Sequence, residues 1–67
     1  MMNFQNIHQA RIHVQEMSED ATAAIGDQEV FQYSTGEIEI IDGIEGETVS
    51  DTATPSTYLG TVAQVLY

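Results

Sequence analysis

Residues 29–42, EVFQYSTGEIEIID, constrain the fold of this 67-residue chain more than any other stretch. Two runs rich in β-branched and aromatic side chains flank the short segment Ser34-Thr35-Gly36. Strand-forming runs separated by a few residues that include glycine are typical of a β-hairpin. The chain is therefore expected to fold around a central hairpin.

The register of this hairpin depends on the length of its loop. A two-residue turn at Thr35-Gly36 would pair Tyr33 with Ile38 and Phe31 with Ile40. All four apolar side chains would then lie on one face of the hairpin. Because register normally follows the buried face, we favour this shorter loop.

The alternative is a three-residue loop with Gly36 in the left-handed region. Its turn chemistry is better, since Thr-Gly is not a favoured pair for a two-residue type I′ turn. However, this loop would pair Phe31 with Glu39 and Tyr33 with Glu37, which mixes apolar and charged side chains on one face.

The length and composition imply one small domain that spans residues 1–67. A chain of this size buries only about 60% of its unfolded surface. Small domains usually add disulfides, a metal or a partner. The chain has no cysteine, which excludes disulfides and thiolate ligands. Association with a partner, or with copies of itself, is the expected source of further stability.

The charge balance is the strongest global signal. Eleven Asp and Glu residues stand against one arginine, Arg11, and no lysine, which gives a formal net charge of −10. Such an excess destabilises the compact state through self-repulsion. Direct binding to nucleic acid or to an anionic membrane is disfavoured, because it requires Lys and Arg on the surface. A basic surface on a protein partner is the natural complement.

Residues 3–25 have two interpretations. Apolar side chains recur at spacings of three and four, which predicts one long helix. The alternative is a strand over residues 9–15, followed by a short helix that Ser18 caps and that ends at Ile25. The helical stripe covers more residues, so we favour the single helix. Its members are Phe4, Ile7, Ala10, Val14, Met17, Ala21 and Ala24.

The C-terminal third divides into a loop and a last element. Residues 43–56, GIEGETVSDTATPS, are rich in Gly, Ser and Thr and are expected to form a flexible acidic loop. Thr54 before Pro55 is typical of a helix start, but the Thr, Tyr and Val content of residues 57–67 favours a strand. The sequence thus predicts an α+β fold, with an N-terminal helix packed on a small antiparallel sheet built on the central hairpin (29–42) and a C-terminal strand.

No combination of residues predicts a metal site. His8 and His13 lie five positions apart, so on a helix they would point about 140° apart. Oxygen ligands in the loop from Asp42 to Asp51 would suit calcium. Yet Ile44 occupies the position of the second ligand in the helix–loop–helix calcium pattern. We expect two surface histidines, an acidic loop without an ion, and no cofactor.

The sequence also lacks the features of an enzyme. Glu37 and Glu39 would share one face of a strand, but an acid–base pair needs one carboxylate in an apolar pocket. There is no cysteine nucleophile, glycine-rich phosphate loop, HExxH or GxSxG motif. We therefore expect a binding protein without catalytic activity.

The function that best fits this pattern is occupation of a basic nucleic-acid-binding surface on a larger protein. Carboxylates spaced like phosphates use the same electrostatics as the nucleic acid itself. Size, charge and the lack of catalytic groups are typical of phage-type inhibitors, although no motif identifies a family. The residues expected to bind the partner are Glu37, Glu39, Asp42, Glu45 and Glu47.

Two other functions fit parts of the chain. The Ser/Thr-rich segment and the β-prone C-terminus suit a virion, capsid-decorating or assembly protein that adds a strand to a neighbour. Alternatively, residues 1–45 could be the recognition part of a precursor peptide whose tail YLGTVAQVLY is modified. The N-terminus has neither the basic start nor the apolar run of a signal peptide, and no stretch has the roughly 18 apolar residues of a membrane span. A cytoplasmic or virion location is expected.

Overall fold

The computed structural model describes all 67 residues and has an α+β fold, as predicted from the sequence. Four antiparallel strands form one sheet in the order β1-β3-β2-β4. Two helices precede the central hairpin, and a short helix follows the last strand. The elements are β1 (Met2–Phe4), α1 (Ile7–Glu16), α2 (Glu19–Ile25), β2 (Glu29–Tyr33), β3 (Ile38–Ile41), β4 (Ser56–Thr61) and α3 (Val62–Val65).

The predicted hairpin is present as β2 and β3, but it has the register of the three-residue loop. Phe31 lies opposite Glu39, and the N–H of Tyr33 donates to the carbonyl oxygen of Glu37 over 2.9 Å. Gly36 has φ 95°, the left-handed conformation that such a loop requires. The shorter loop was the wrong choice, because turn geometry rather than apolar pairing sets the register.

This register places the core on the face that carries Val30, Ile38 and Ile40. Phe31 points to the opposite face, where it is half-buried and its ring centroid lies 5.4 Å from that of Tyr58. The expectation that Phe31 shares a core face with Ile40 is therefore wrong. The buried core cluster consists of Ala10, Val14, Val30, Ile38, Ile40, Val62 and Leu66.

The N-terminal region forms two helices rather than one. Asn6 caps α1 by accepting from the N–H of Gln9 at 2.9 Å, and Ser18 caps α2 by accepting from the N–H of Ala21 at 3.2 Å. Met17 between them has an extended backbone, which ends α1. The short helix capped by Ser18 belonged to the alternative interpretation and is confirmed.

The other two expectations for this region, one long helix over residues 3–25 and a strand over residues 9–15, are both wrong. Residues 9–15 are helical, so the alternative strand is absent. The first strand lies earlier, where Phe4 pairs with Ile38 at the edge of the sheet. Phe4 therefore belongs to the sheet and not to the predicted helix, because β3 provides hydrogen-bond partners for its backbone.

The C-terminal strand is confirmed, and a helix follows it directly. β4 pairs antiparallel with β2, and α3 begins at Val62. Thr61 and Gln64 form a capping box, in which each side chain accepts a hydrogen bond from the backbone N–H of the other. The helix start indicated by Thr54 and Pro55 is wrong, because β4 follows Pro55 and the helix begins only after Thr61. No helix of the protein has both the length and the apolar character needed to cross a membrane.

The core assignment can be tested with two isoleucines. Ile40→Ala should lower the free energy of unfolding by about 2–5 kcal/mol, because it leaves a cavity in the buried cluster. Ile44 is 80% exposed, so Ile44→Ala should change it by no more than about 0.5 kcal/mol. Urea unfolding followed by circular dichroism measures both values. Equal losses for the two variants would contradict the assignment of Ile40 to the core.

Candidate acidic interaction surface

The five carboxylates expected to bind a partner do not form one row. Glu37 is exposed beside the hairpin turn, whereas Asp42, Glu45 and Glu47 lie beyond the other end of β3. Five residues of extended chain from position 37 to position 42 span roughly 16 Å. Glu39 lies between the two ends and is fully buried. The structure therefore separates the predicted set into two exposed ends and one buried member.

The residues beyond β3 form a tight turn that uses two of its own carboxylates. Oδ1 of Asp42 accepts from the N–H groups of Ile44 at 3.1 Å and Glu45 at 3.2 Å. The carboxylate of Glu47 accepts from the N–H of Asp42 at 3.3 Å and lies 3.6 Å from the N-terminal ammonium of Met1. Asp42 and Glu47 stabilise the turn, and Glu45 is the carboxylate that remains exposed.

A fourth carboxylate, from Glu29, joins this end of the hairpin. Glu29 lies opposite Ile41 in the register, and a Cβ atom on Gly43 would collide with its carboxylate. Glu29 is not among the residues predicted from the sequence to bind a partner. The hairpin alone would have indicated this position. In any register near the observed one, residue 29 pairs with the last residues of β3, directly before Asp42.

Glu39 is not a surface residue, which corrects the prediction that it binds a partner. Its carboxylate accepts hydrogen bonds from the Tyr33 hydroxyl, from the Ser50 N–H at 3.1 and 3.2 Å, and from the Ser50 hydroxyl at 2.9 Å. The Asp51 N–H in turn donates to the Tyr33 hydroxyl oxygen at 3.2 Å. Every group that bonds to the Glu39 carboxylate is a donor, which is what a buried acceptor requires.

This hydrogen-bonded cluster, formed by Tyr33, Glu39, Ser50 and Asp51, attaches the loop after β3 to the sheet. The loop has no regular secondary structure from position 42 to position 55, yet its middle is bound through two side chains of the hairpin. No local pattern in the sequence indicates these bonds, because Ser50 lies 11 residues after Glu39. The expected loop is present, with a defined attachment point.

Asp51 closes a second turn within the same loop. Its Oδ1 accepts from the N–H groups of Ala53 at 3.0 Å and Thr54 at 3.2 Å, and the Thr54 hydroxyl donates to Oδ2 at 2.5 Å. The pKa of Asp51 is lowered, and the hydrogen bond from the Thr54 hydroxyl is the largest cause. Burial acts in the opposite direction, whereas the backbone N–H groups of Ala53 and Thr54 lower the pKa further. Asp51 and Glu37 line one polar cleft of about 220 Å³ beside the hairpin turn.

The negative surface has almost no compensating positive charge. Of the eleven carboxylates only Glu39 is buried, which leaves ten at least partly exposed. The sole ion pair joins Glu47 to the N-terminal ammonium. Arg11 instead donates through Nε to the carbonyl oxygen of Val65 at 3.2 Å. Nine of these ten carboxylates therefore have no positively charged partner within the protein.

The histidines and the acidic side chains form no metal site. No group of three or more His, Cys, Asp or Glu side chains is arranged to hold an ion. His8 and His13 are both exposed, as expected, and the ring of His13 lies 5.1 Å from that of Phe4.

Comparison of the chain with protein-family models, with curated proteins and with solved structures gives no match in any of the three.

The role of Glu39 can be tested against a neighbouring glutamate. Glu39→Gln places an amide N–H₂ among groups that are all donors, which should lower the free energy of unfolding by about 1–3 kcal/mol. Glu37→Gln makes the same chemical change at an exposed position and should cost no more than about 0.5 kcal/mol. Hydrogen exchange at Ser50 and Asp51 should accelerate only in Glu39→Gln. Identical unfolding midpoints and exchange rates would remove Glu39 as the anchor of the loop.

The lowered pKa of Asp51 predicts a specific effect of pH. Because the pKa falls below its ordinary value of 3.8 on folding, ionised Asp51 stabilises the fold above that pH. The contribution disappears as pH falls through the lower folded-state value. Thr54→Val removes the strongest hydrogen bond, so it should raise the Asp51 pKa and weaken this part of the acid dependence.

An NMR titration of the Asp51 carboxyl carbon measures this shift. Thr52→Val is the control, since Thr52 is exposed and makes no hydrogen bond to Asp51. A pKa that moves equally in both variants, or in neither, would rule out the Thr54 hydroxyl as the cause.

Proposed function

We propose that this protein is a small binding protein without catalytic activity that occupies a basic nucleic-acid-binding surface of a larger target. The observation that carries the proposal is the surface of ten exposed or half-exposed carboxylates with a single ion pair. A surface of one sign raises the rate of encounter with an oppositely charged groove and excludes anionic competitors. The target would lose access to its nucleic acid while the protein is bound.

The two exposed ends of the hairpin are the proposed contact points. Glu37 at the turn end and Glu45 at the far end extend into solvent, and the extended chain between them, from position 37 to position 42, spans roughly 16 Å. Asp42 and Glu47 add charge at the far end while they hold its turn. Two fixed acidic ends at this distance would engage separate basic groups along a groove, as separate phosphates do. Glu39 contributes by fixing the loop.

A second candidate function is that of a virion or assembly component, and the edge of the sheet favours it. β4 is an edge strand, and residues 52–67 contain no charged side chain in an otherwise acidic protein. Native edge strands are commonly protected by charge, so an uncharged edge suits strand addition by a neighbour.

The precursor interpretation has less support. Val62 and Leu66 of the C-terminal segment are fully buried in the core cluster, and Leu59 packs against it. A tail that is modified or removed would have to leave the sheet and the core. We therefore retain two candidates, a nucleic-acid mimic and an assembly component.

Capture from a lysate of the encoding organism separates these candidates. The tagged protein is incubated with nuclease-treated lysate, and bound proteins are eluted either with sodium chloride or with excess duplex DNA or RNA. A mimic should release its target under both conditions, because the nucleic acid competes for the same groove. Release by salt but not by nucleic acid would refute the proposed function, and stoichiometric recovery with particles would favour the assembly role.

The contact residues can be tested with variants that remove equal charge. Glu37→Gln with Glu45→Gln should weaken binding of the captured target at least tenfold and reduce its salt dependence. Glu16→Gln with Asp27→Asn removes the same charge from exposed positions outside the proposed contact residues and should have a much smaller effect. Calorimetric titrations over a series of salt concentrations provide both quantities. If the two double variants lose the same affinity, the target responds to net charge only.

A further inference from the structure

An apolar groove lies on the side of the molecule opposite the loop, between the two N-terminal helices and the C-terminus. Its volume is about 350 Å³, within the range of roughly 300–1,000 Å³ typical of binding clefts. Val14 and Leu66 are buried and form its floor. Met17, Ala23 and Tyr67 form its sides. The protein thus has an open apolar surface that the acidic hairpin ends do not include.

The aromatic side of this groove is held in place. The side chain of Tyr67 is 60% exposed, yet its hydroxyl donates to the carbonyl oxygen of Thr22 at 2.6 Å. Thr22 lies in the last turn of α2, where helix carbonyl groups lack partners within the helix. A tyrosine fixed at its hydroxyl presents its ring to a ligand with little loss of conformational entropy.

The charges around the groove identify what it would bind. Glu19 lines it, and Asp20 is the next, exposed residue of α2, while no lysine or arginine contributes to the lining. Arg11 lies one turn before Gln15 on α1, and it donates to Val65. Apolar walls with carboxylates at one end complement a segment that has apolar side chains on one face and basic side chains beside them.

We propose that this groove binds a basic amphipathic segment of the target protein, with an apolar side chain inserted between Met17, Ala23 and Tyr67 and a Lys or Arg beside Glu19 and Asp20. This inference rests on the proposed function and adds a second contact to it. The acidic ends attract a basic target, and the groove supplies apolar contact that salt does not screen. A second copy of the chain is a poorer occupant, since it would bring a further net charge of −10.

The probes for this groove are three synthetic helical peptides of equal length. One carries leucine and lysine on adjacent faces, the second replaces every leucine by serine, and the third replaces every lysine by glutamine. The Leu/Lys peptide should bind about tenfold or more tightly than the Ser/Lys peptide, because burial of one leucine is sufficient for that difference. It should also bind more tightly than the Leu/Gln peptide, which lacks the charges that complement Glu19 and Asp20. Its NMR shift changes should centre on Met17, Ala23 and Tyr67. Equal affinity of the Leu/Lys and Ser/Lys peptides would show that the groove does not bind an apolar side chain and would refute the proposal.

Two neighbouring alanines provide the matched variants. Ala23 lines the groove and Ala24 does not, and both are exposed on α2. Both substitutions by arginine remove one unit of net negative charge, so they differ only in position. Ala23→Arg should reduce the affinity for the Leu/Lys peptide to that of the Ser/Lys peptide. Ala24→Arg should change this affinity by no more than about twofold. Equal losses would overturn the proposal, as would a dimer in sedimentation that Ala23→Arg dissociates.

The same experiment separates this inference from the proposed function. If both lysine peptides bind with equal affinity and strong salt dependence, the groove is refuted and the acidic surface remains supported. If the Leu/Lys peptide binds through the groove but the captured target is not displaced by nucleic acid, the groove stands and the mimic function fails.

Discussion

The three-residue turn of the central hairpin is the constraint on which the rest of the structure depends. Gly36 takes a left-handed backbone that fixes the pairing of β2 with β3. This pairing leaves Val30 and Ile40 for the core face and directs Glu39 to the other. A carboxylate in that position needs donors, and Ser50 of the following loop supplies them. Turn geometry therefore determines where the loop is attached.

The acidic residues divide between structural and free roles. Asp42, Glu47 and Asp51 accept hydrogen bonds from backbone N–H groups of their own turns, which stabilises segments without regular secondary structure. Glu37 and Glu45 accept no such bonds and are exposed. Net charge alone thus overstates the number of carboxylates available to a partner. Within the hairpin and its loop, Glu37 and Glu45 are the free ones, and they lie at the two ends of the hairpin.

A chain of 67 residues without disulfides achieves a core by covering both faces of one strand. All four residues of β3 are buried, with helices on one side and the loop on the other. The apolar half of this arrangement is a compact cluster, whereas the polar half depends on directed hydrogen bonds. The two faces should therefore respond differently to mutation, with cavity formation dominating on one and loss of a hydrogen-bond partner on the other.

The sequence by itself determined the class of the fold, the position of the hairpin and the C-terminal strand, and it indicated the helix that Ser18 caps only as the alternative to one long helix. Each depends on neighbours along the chain: a glycine in a turn, a serine before a helix, or a run of β-branched residues. Only the tertiary structure decided the register, the break at Met17 and the burial of Glu39. The apolar pattern favoured the wrong register because it could not show that Ser50, 11 residues away, would provide donors for a buried carboxylate. The groove beside Tyr67 likewise exists only because the C-terminus meets the two N-terminal helices there.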